Sequence, residues 1–135
     1  MSVERRFRQQ VEYFEKAHAR LHEALALEQT EITRDALIKR FEFTFEMAWK
    51  AMYRWLRMKG AADVREEAFE VIPRAFTAGL IEDDASWTEI RRARNRTAHT
   101  YDEKVAVAVA ATILGDARPR FEELLARLQR DLPPA

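Results

Sequence analysis

The stretch from Arg34 to Gly60 reads RDALIKRFEFTFEMAWKAMYRWLRMKG. Leu37, Phe41, Phe45, Ala48, Met52, Trp55 and Leu56 fall on one face at helical spacing. Ile38, Phe43, Trp49 and Tyr53 widen the apolar surface well beyond one stripe. A helix on a protein surface needs a single such face, so this one is expected at the centre of the fold or at a subunit interface. Gly60 is placed to cap its C-terminus. A helix over Arg34–Lys59 would be about 39 Å long at 1.5 Å per residue. That length is large for a small monomer, and some of the apolar surface is expected to pair with a second copy.

The flanking sequence agrees with helices. The chain has 135 residues with only three glycines and four prolines, too few breakers for a hairpin-rich fold. From Ser2, a plausible N-cap, Val3, Phe7, Val11, Phe14, Leu21 and Leu25 mark an amphipathic helix to about Leu27. Thr30 to Thr33 reads as a polar turn. A shorter helical segment ends at Gly79, with a kink or fresh start expected near Ile72 because Pro73 removes a donor. Asp83 or Asp84 can cap a fourth helix running to about Ala98, and Asp102 a fifth beginning at Glu103. The run VAVAVAA alternates like a strand, but a lone strand has no partner elsewhere in the chain, so it is read as helix. Gly115 and Pro119 are expected to bend the last element, which continues through Phe121, Leu124, Leu125 and Leu128 to about Asp131. The expected fold is all-α: one domain over residues 1–135, a four-helix up-and-down bundle with a bent C-terminal helix.

Composition narrows the function. Lys+Arg and Asp+Glu each total 23, and a net charge of zero argues against coating nucleic acid through bulk positive charge. Of the 23 basic residues 18 are Arg, the cation suited to bidentate anion contacts, although a GC-rich or thermophilic source would give the same excess. The absence of cysteine excludes disulfides and thiolate chemistry. MSVERRFRQQ carries charge where a leader needs an apolar core, and no stretch matches a membrane span, so a cytoplasmic location without membrane contact is expected.

One segment does not read as bundle scaffolding: Arg91-Arg92-Ala93-Arg94-Asn95-Arg96-Thr97-Ala98-His99-Thr100-Tyr101-Asp102-Glu103. Four arginines, an Asn, a His and a Tyr gather at the junction of two helices. Residues five apart on a helix differ by about 140°, so Arg94 and His99 share a face only if the helix ends near Ala98 or two subunits meet there. An imidazole, titrating near 6.5, can take a proton from a ribose 2′-hydroxyl or give one to a leaving oxygen. A guanidinium can hold a phosphate with two bonds and stabilise charge on pentacoordinate phosphorus. No metal or other cofactor is required. Composition alone leaves open a plainer alternative, solvated arginines with His99 at a helix end.

The string Arg-Asn-x-x-x-His-x-Tyr, Arg94-Asn95 through His99 to Tyr101, resembles the signature of the HEPN superfamily. It is most similar to the HepT-like nucleotidyltransferase substrate-binding proteins, partners of a minimal nucleotidyltransferase (MNT). The block Arg40 to Lys50, the Ala75-Phe76 and Ala78-Gly79-Leu80-Ile81 pair, and Trp87 resemble the family in order and spacing. The proline near Val71-Ile72-Pro73 departs from its pattern. The resemblance implies a HEPN-type four-helix bundle that homodimerises and works with a separate MNT chain. It implies a metal-independent ribonuclease acting on RNA, the toxin of a toxin–antitoxin pair, with Arg94 on the phosphate, His99 as acid/base, and Asn95 and Arg96 in support. Tyr101 would be the residue that the partner modifies with AMP. The alternative function is a non-catalytic nucleotide- or substrate-binding subunit of a two-chain nucleotidyltransferase.

Glu42, Glu46 and Lys50 form an i, i+4, i+8 ladder on the second helix. Ordinary surface pairing explains such a ladder, and the resemblance adds a role lining the cleft. His18 and His22 have metal-ligand spacing but no third ligand, and read as helix-surface histidines. The aromatics of the second helix, without interleaved basic residues, read as packing rather than base stacking. No Gly-rich phosphate loop or Gly-Ser pair is present, so the chain is not expected to be the transferase itself.

Overall fold

The computed structural model describes residues 1–134 and is all-helical. Helix α1 spans Val3–Leu25, α2 Glu31–Met58, α3 Ala68–Thr77, α4 Asp84–Arg96, α5 Glu103–Thr112 and α6 Arg118–Arg130. A 3-10 turn, Thr97–His99, follows α4, and a π turn, Ile113–Ala117, joins α5 to α6 into one interrupted arm.

Cross-helix bonds give the directions. Gln10 donates to the Met47 carbonyl, Thr44 to the Ala17 carbonyl and Arg40 to the Arg20 carbonyl, so α1 and α2 are antiparallel. Ser86 donates to Asp116 and Arg120 to Asp83, which set α4 antiparallel to the α5–α6 arm. Arg34 pairs with Glu103 and Trp55 with Asp131, so α2 runs parallel to that arm. The result is an up-and-down bundle of α1, α2, α4 and α5–α6, with short α3 laid against α2 and α4. Phe121 is the centre of the core. Its ring lies 6.1 Å from Phe14 of α1, 6.1 Å from Phe41 of α2 and 5.8 Å from Trp87 of α4. All four side chains are buried.

The wide apolar surface of α2 is used on most sides. Phe41, Phe45, Trp49 and Trp55 are buried and Tyr53 is half-buried, while Phe43 stays exposed. Three differences from the sequence reading lie in α1, α2 and α3. Helix α2 starts earlier than Arg34, because Thr30 and Thr33 form a reciprocal capping box instead of a turn. Helix α1 ends at Leu25, before Leu27. Helix α3 runs through Pro73 without a fresh start. The carbonyl that Pro73 leaves unpaired belongs to Phe69 in the first turn, beside solvent, where water can satisfy it. Gly60 and Gly79 have φ of +99° and +82° and end α2 and α3 as expected. The VAVAVAA run is helical, within α5. In the C-terminal arm, the Arg118 N–H reaches back five residues to the Ile113 carbonyl, and Pro119 sits just inside α6.

Candidate functional site

Arg94 lies in the last turn of α4, and its side chain crosses to the acidic ladder of α2. One terminal nitrogen is 3.7 Å from Glu42 and the other 4.0 Å from Glu46. Among the described residues its side chain makes one direct hydrogen bond, to the Thr97 hydroxyl at 3.1 Å, and its buried Nε has no partner. Thr97 is itself buried and donates at 2.7 Å to the Arg94 carbonyl, closing the end of the helix. The cation is therefore positioned but incompletely satisfied.

The helix ends at Arg96, two residues before the expected break, and the 3-10 turn carries the chain to the next cap. The Asp102 N–H donates to the His99 carbonyl, and the Asp102 side chain accepts from the Lys104 N–H to start α5. Between them His99 and Tyr101 project outward with ring centroids 6.0 Å apart at 76°. Tyr101 is 86% exposed, and His99 is also exposed. The bidentate pair between Arg34 and Glu103, at 2.9 and 2.8 Å, ties the start of α2 to the start of α5 beneath this connector. That hydrogen-bonded pair raises the pKa of Arg34 and holds the Glu103 carboxyl below its ordinary value.

Glu42 joins the two halves of the site. It faces Arg94 and also lines a depression of about 360 Å³ with Lys39, Thr100 and Tyr101. On the other side of Arg94 a groove of about 520 Å³ runs along Glu46, Arg91, Asn95 and Phe69. The structure thus brings Arg94, Glu42 and Glu46 together, and separately His99 and Tyr101. Among the described residues no hydrogen bond or ion pair links Arg94 to His99. Asn95 and Arg96 are exposed beside them. Lys50 does not complete the ladder: its ammonium lies 5.8 Å from the ring centroid of buried Trp49.

Two contributors were not anticipated. Thr97 fixes Arg94, and its signal was a hydroxyl three residues after the arginine at a helix end. Phe69 lines the groove, and its place on the outer face of α3 becomes apparent only once that helix is seen to start at Ala68. His18 and His22 are half-buried with centroids 4.5 Å apart, and burial together with the His22 charge lowers the pKa of His18. No cluster of three metal-ligating side chains occurs among the described residues.

This architecture, a helical bundle presenting one Arg-His-Tyr junction, is that of a class of small substrate-binding subunits. The chain belongs to the family described as nucleotidyltransferase substrate binding protein like, whose model matches residues 9–130. It is 35% identical over 113 residues to a probable ribonuclease HepT of Haemophilus influenzae, covering 76% of this chain and 77% of that one. A Thermus thermophilus crystal structure superposes with a TM-score of 0.78 at 38% identity, over 87% of this chain and 99% of that one. A Haemophilus influenzae structure, described as revealing the fold of a substrate binding domain of a nucleotidyltransferase, matches with a TM-score of 0.78 at 28% identity. That match covers 88% of this chain and 98% of the other. No helix is long and apolar enough to cross a membrane among the described residues.

Proposed function

We propose that this chain, acting as one helical domain in a cytoplasmic homodimer, is the metal-independent ribonuclease toxin of a toxin–antitoxin pair, silenced by its nucleotidyltransferase partner. The observation that carries this reading is the half-satisfied guanidinium of Arg94 beside a connector that exposes both His99 and Tyr101. The ribose 2′-oxygen attacks the adjacent phosphorus as His99 removes its proton. The bond from phosphorus to the 5′-oxygen breaks, and the second copy of His99 in the dimer protonates that oxygen. The products are a 2′,3′-cyclic phosphate and a 5′-hydroxyl. Arg94 takes the charge that develops on the phosphoryl oxygens, leaving its long contacts with Glu42 and Glu46 for shorter ones. Asn95 and Arg96 flank the strand.

Silencing uses ATP and the transferase. The Tyr101 hydroxyl attacks the α-phosphorus, pyrophosphate leaves and the phenolic proton is lost. The bulky anionic adduct then occupies the neighbourhood of His99 and repels a phosphate. Incubation of purified protein with RNA tests the first half, and activity surviving His99→Ala would sink it. Mass spectrometry of Tyr101 after treatment with transferase and ATP tests the second, and an unmodified tyrosine would sink that.

The separation of Arg94 from His99 within one chain favours a second reading, a non-catalytic subunit that presents substrate to the transferase. It requires a stable complex with the transferase and no RNA cleavage by the unmodified protein.

A further inference from the structure

Helix α3 buries Val71, Ile72 and Ala75, as an amphipathic helix should. Its opposite face is not polar. Phe69, Pro73 and Phe76, at i, i+4 and i+7, make one outward strip, with Phe69 61% and Phe76 41% exposed. A large aromatic ring left in water on a short helix costs solubility and returns nothing to the core. At its α4 end the strip opens into the groove that holds Arg94, Arg91 and Asn95. Arg91 enters no ion pair and Asn95 makes no side-chain hydrogen bond among the described residues, so both are free to meet a ligand. An exposed ring beside the unpaired Arg91 and the loosely held Arg94 matches the chemistry of a single-stranded nucleic acid, an apolar base face next to an anionic backbone.

We infer that the α3–α4 groove is a base subsite. The nucleobase next to the phosphate held by Arg94 stacks on Phe69, Arg91 meets the following phosphate, and the Asn95 amide reads the base edge. The inference deepens the ribonuclease reading and rests on it for its ligand, single-stranded RNA. Phe69 touches substrate without sharing in proton transfer, so it governs KM and leaves kcat nearly unchanged.

The test uses the full-length protein and a fluorescent single-stranded RNA 12-mer, with binding read in a His99→Ala background and cleavage in the native one. Phe69→Ala is expected to weaken binding and raise KM about ten-fold, and Phe69→Trp to restore both. An abasic nucleotide moved along the 12-mer should weaken binding at one position in the parent and cost nothing further there in Phe69→Ala. Unchanged affinity in Phe69→Ala, or no such position, overturns the subsite even if the RNA is cut. A parent that binds with this Phe69 dependence but cuts no RNA keeps the subsite and sinks the ribonuclease reading. No binding of the 12-mer removes both. Conversion of a dimer to a monomer by Phe69→Ala, seen by size-exclusion chromatography with light scattering, would assign the strip to subunit contact and overturn the proposal.

Discussion

Two arginines stand against carboxylates in this bundle, one midway along α2 and one near its C-terminal end, and they are treated differently. Arg127 bonds Asp131 at 3.1 Å and the Gly79 carbonyl at 2.9 Å, while Asp131 also accepts from the Trp55 indole at 2.9 Å. That node is closed, and it locks α6 to α2 and to the end of α3. Arg94 approaches its two carboxylates only at 3.7 and 4.0 Å and keeps a buried Nε without a partner. A saturated arginine holds structure together. An arginine held only at long range from its acids can exchange them for an anion that fits it better, as we propose for Arg94.

The contrast can be broken by substitution. Arg94→Met is expected to lower RNA cleavage by about 10²–10³-fold, since a preorganised cation at developing charge contributes on that scale. The same variant should leave stability within about 0.5 kcal/mol in urea unfolding, because long, partly exposed ion pairs contribute little. Arg127→Met should do the reverse, costing about 1–3 kcal/mol through the lost bonds to Asp131 and the Gly79 carbonyl while cleavage stays unchanged. If both variants lost stability equally, the distinction between the two nodes would fail.

A smaller effect separates the nodes by pH. Burial pushes the Asp131 carboxyl up, but the bonds from Trp55 and Arg127 and the charges of Arg127 and Lys59 outweigh it, and its pKa lies below the ordinary value. A carboxyl depressed on folding stabilises the fold above its unfolded pKa, about 3.9, and the gain disappears as pH falls through the folded pKa. Asp131→Asn should flatten the acid limb of the stability curve below about pH 5. His18 gives a weaker limb at higher pH. Its folded pKa is lowered first by burial and then by His22, so the folded state resists its protonation. Stability should decline as pH falls through about 6.5, and His18→Phe should remove that decline. Thermal melts between pH 7.5 and 5 read it directly.

Helix α2 was legible because its apolar residues repeat at helical spacing, and Gly60 and Gly79 because each ends its helix at positive φ. The start of α2 was not, since two threonines that look like a turn are also what a capping box requires. Pro73 misled because its cost depends on whether the orphaned carbonyl can reach water, which spacing does not reveal. In the site, the string from Arg94 to Tyr101 falls between α4 and α5, at the helix junction its sequence suggests. The ladder of Glu42 and Glu46 was visible, but its partner was not, because Arg94 arrives from a helix about fifty residues away in sequence. Lys50, next in the ladder, was an equally good candidate on spacing and turns instead to Trp49.

The π turn at Ile113–Ala117 has a consequence for how this chain tolerates deletion. The buried stripe along the C-terminal arm runs through Ala106, Val109, Ile113, Ala117, Phe121, Leu124 and Leu128, with Leu125 buried beside it. The steps are three, four, four, four, three and four, one residue more than a regular stripe of alternating threes and fours, and the wide turn absorbs it. Removing Gly115, with Pro119→Ala to spare the continuous helix a proline, would leave an unbroken alternation of threes and fours. The shortened protein should fold with its core residues still facing inward. A single deletion at Ala51, where α2 has no such slack, would rotate half a helix away from its neighbours. The arm therefore carries one removable residue, and a deletion scan in a Pro119→Ala background should find its survivors confined to this turn.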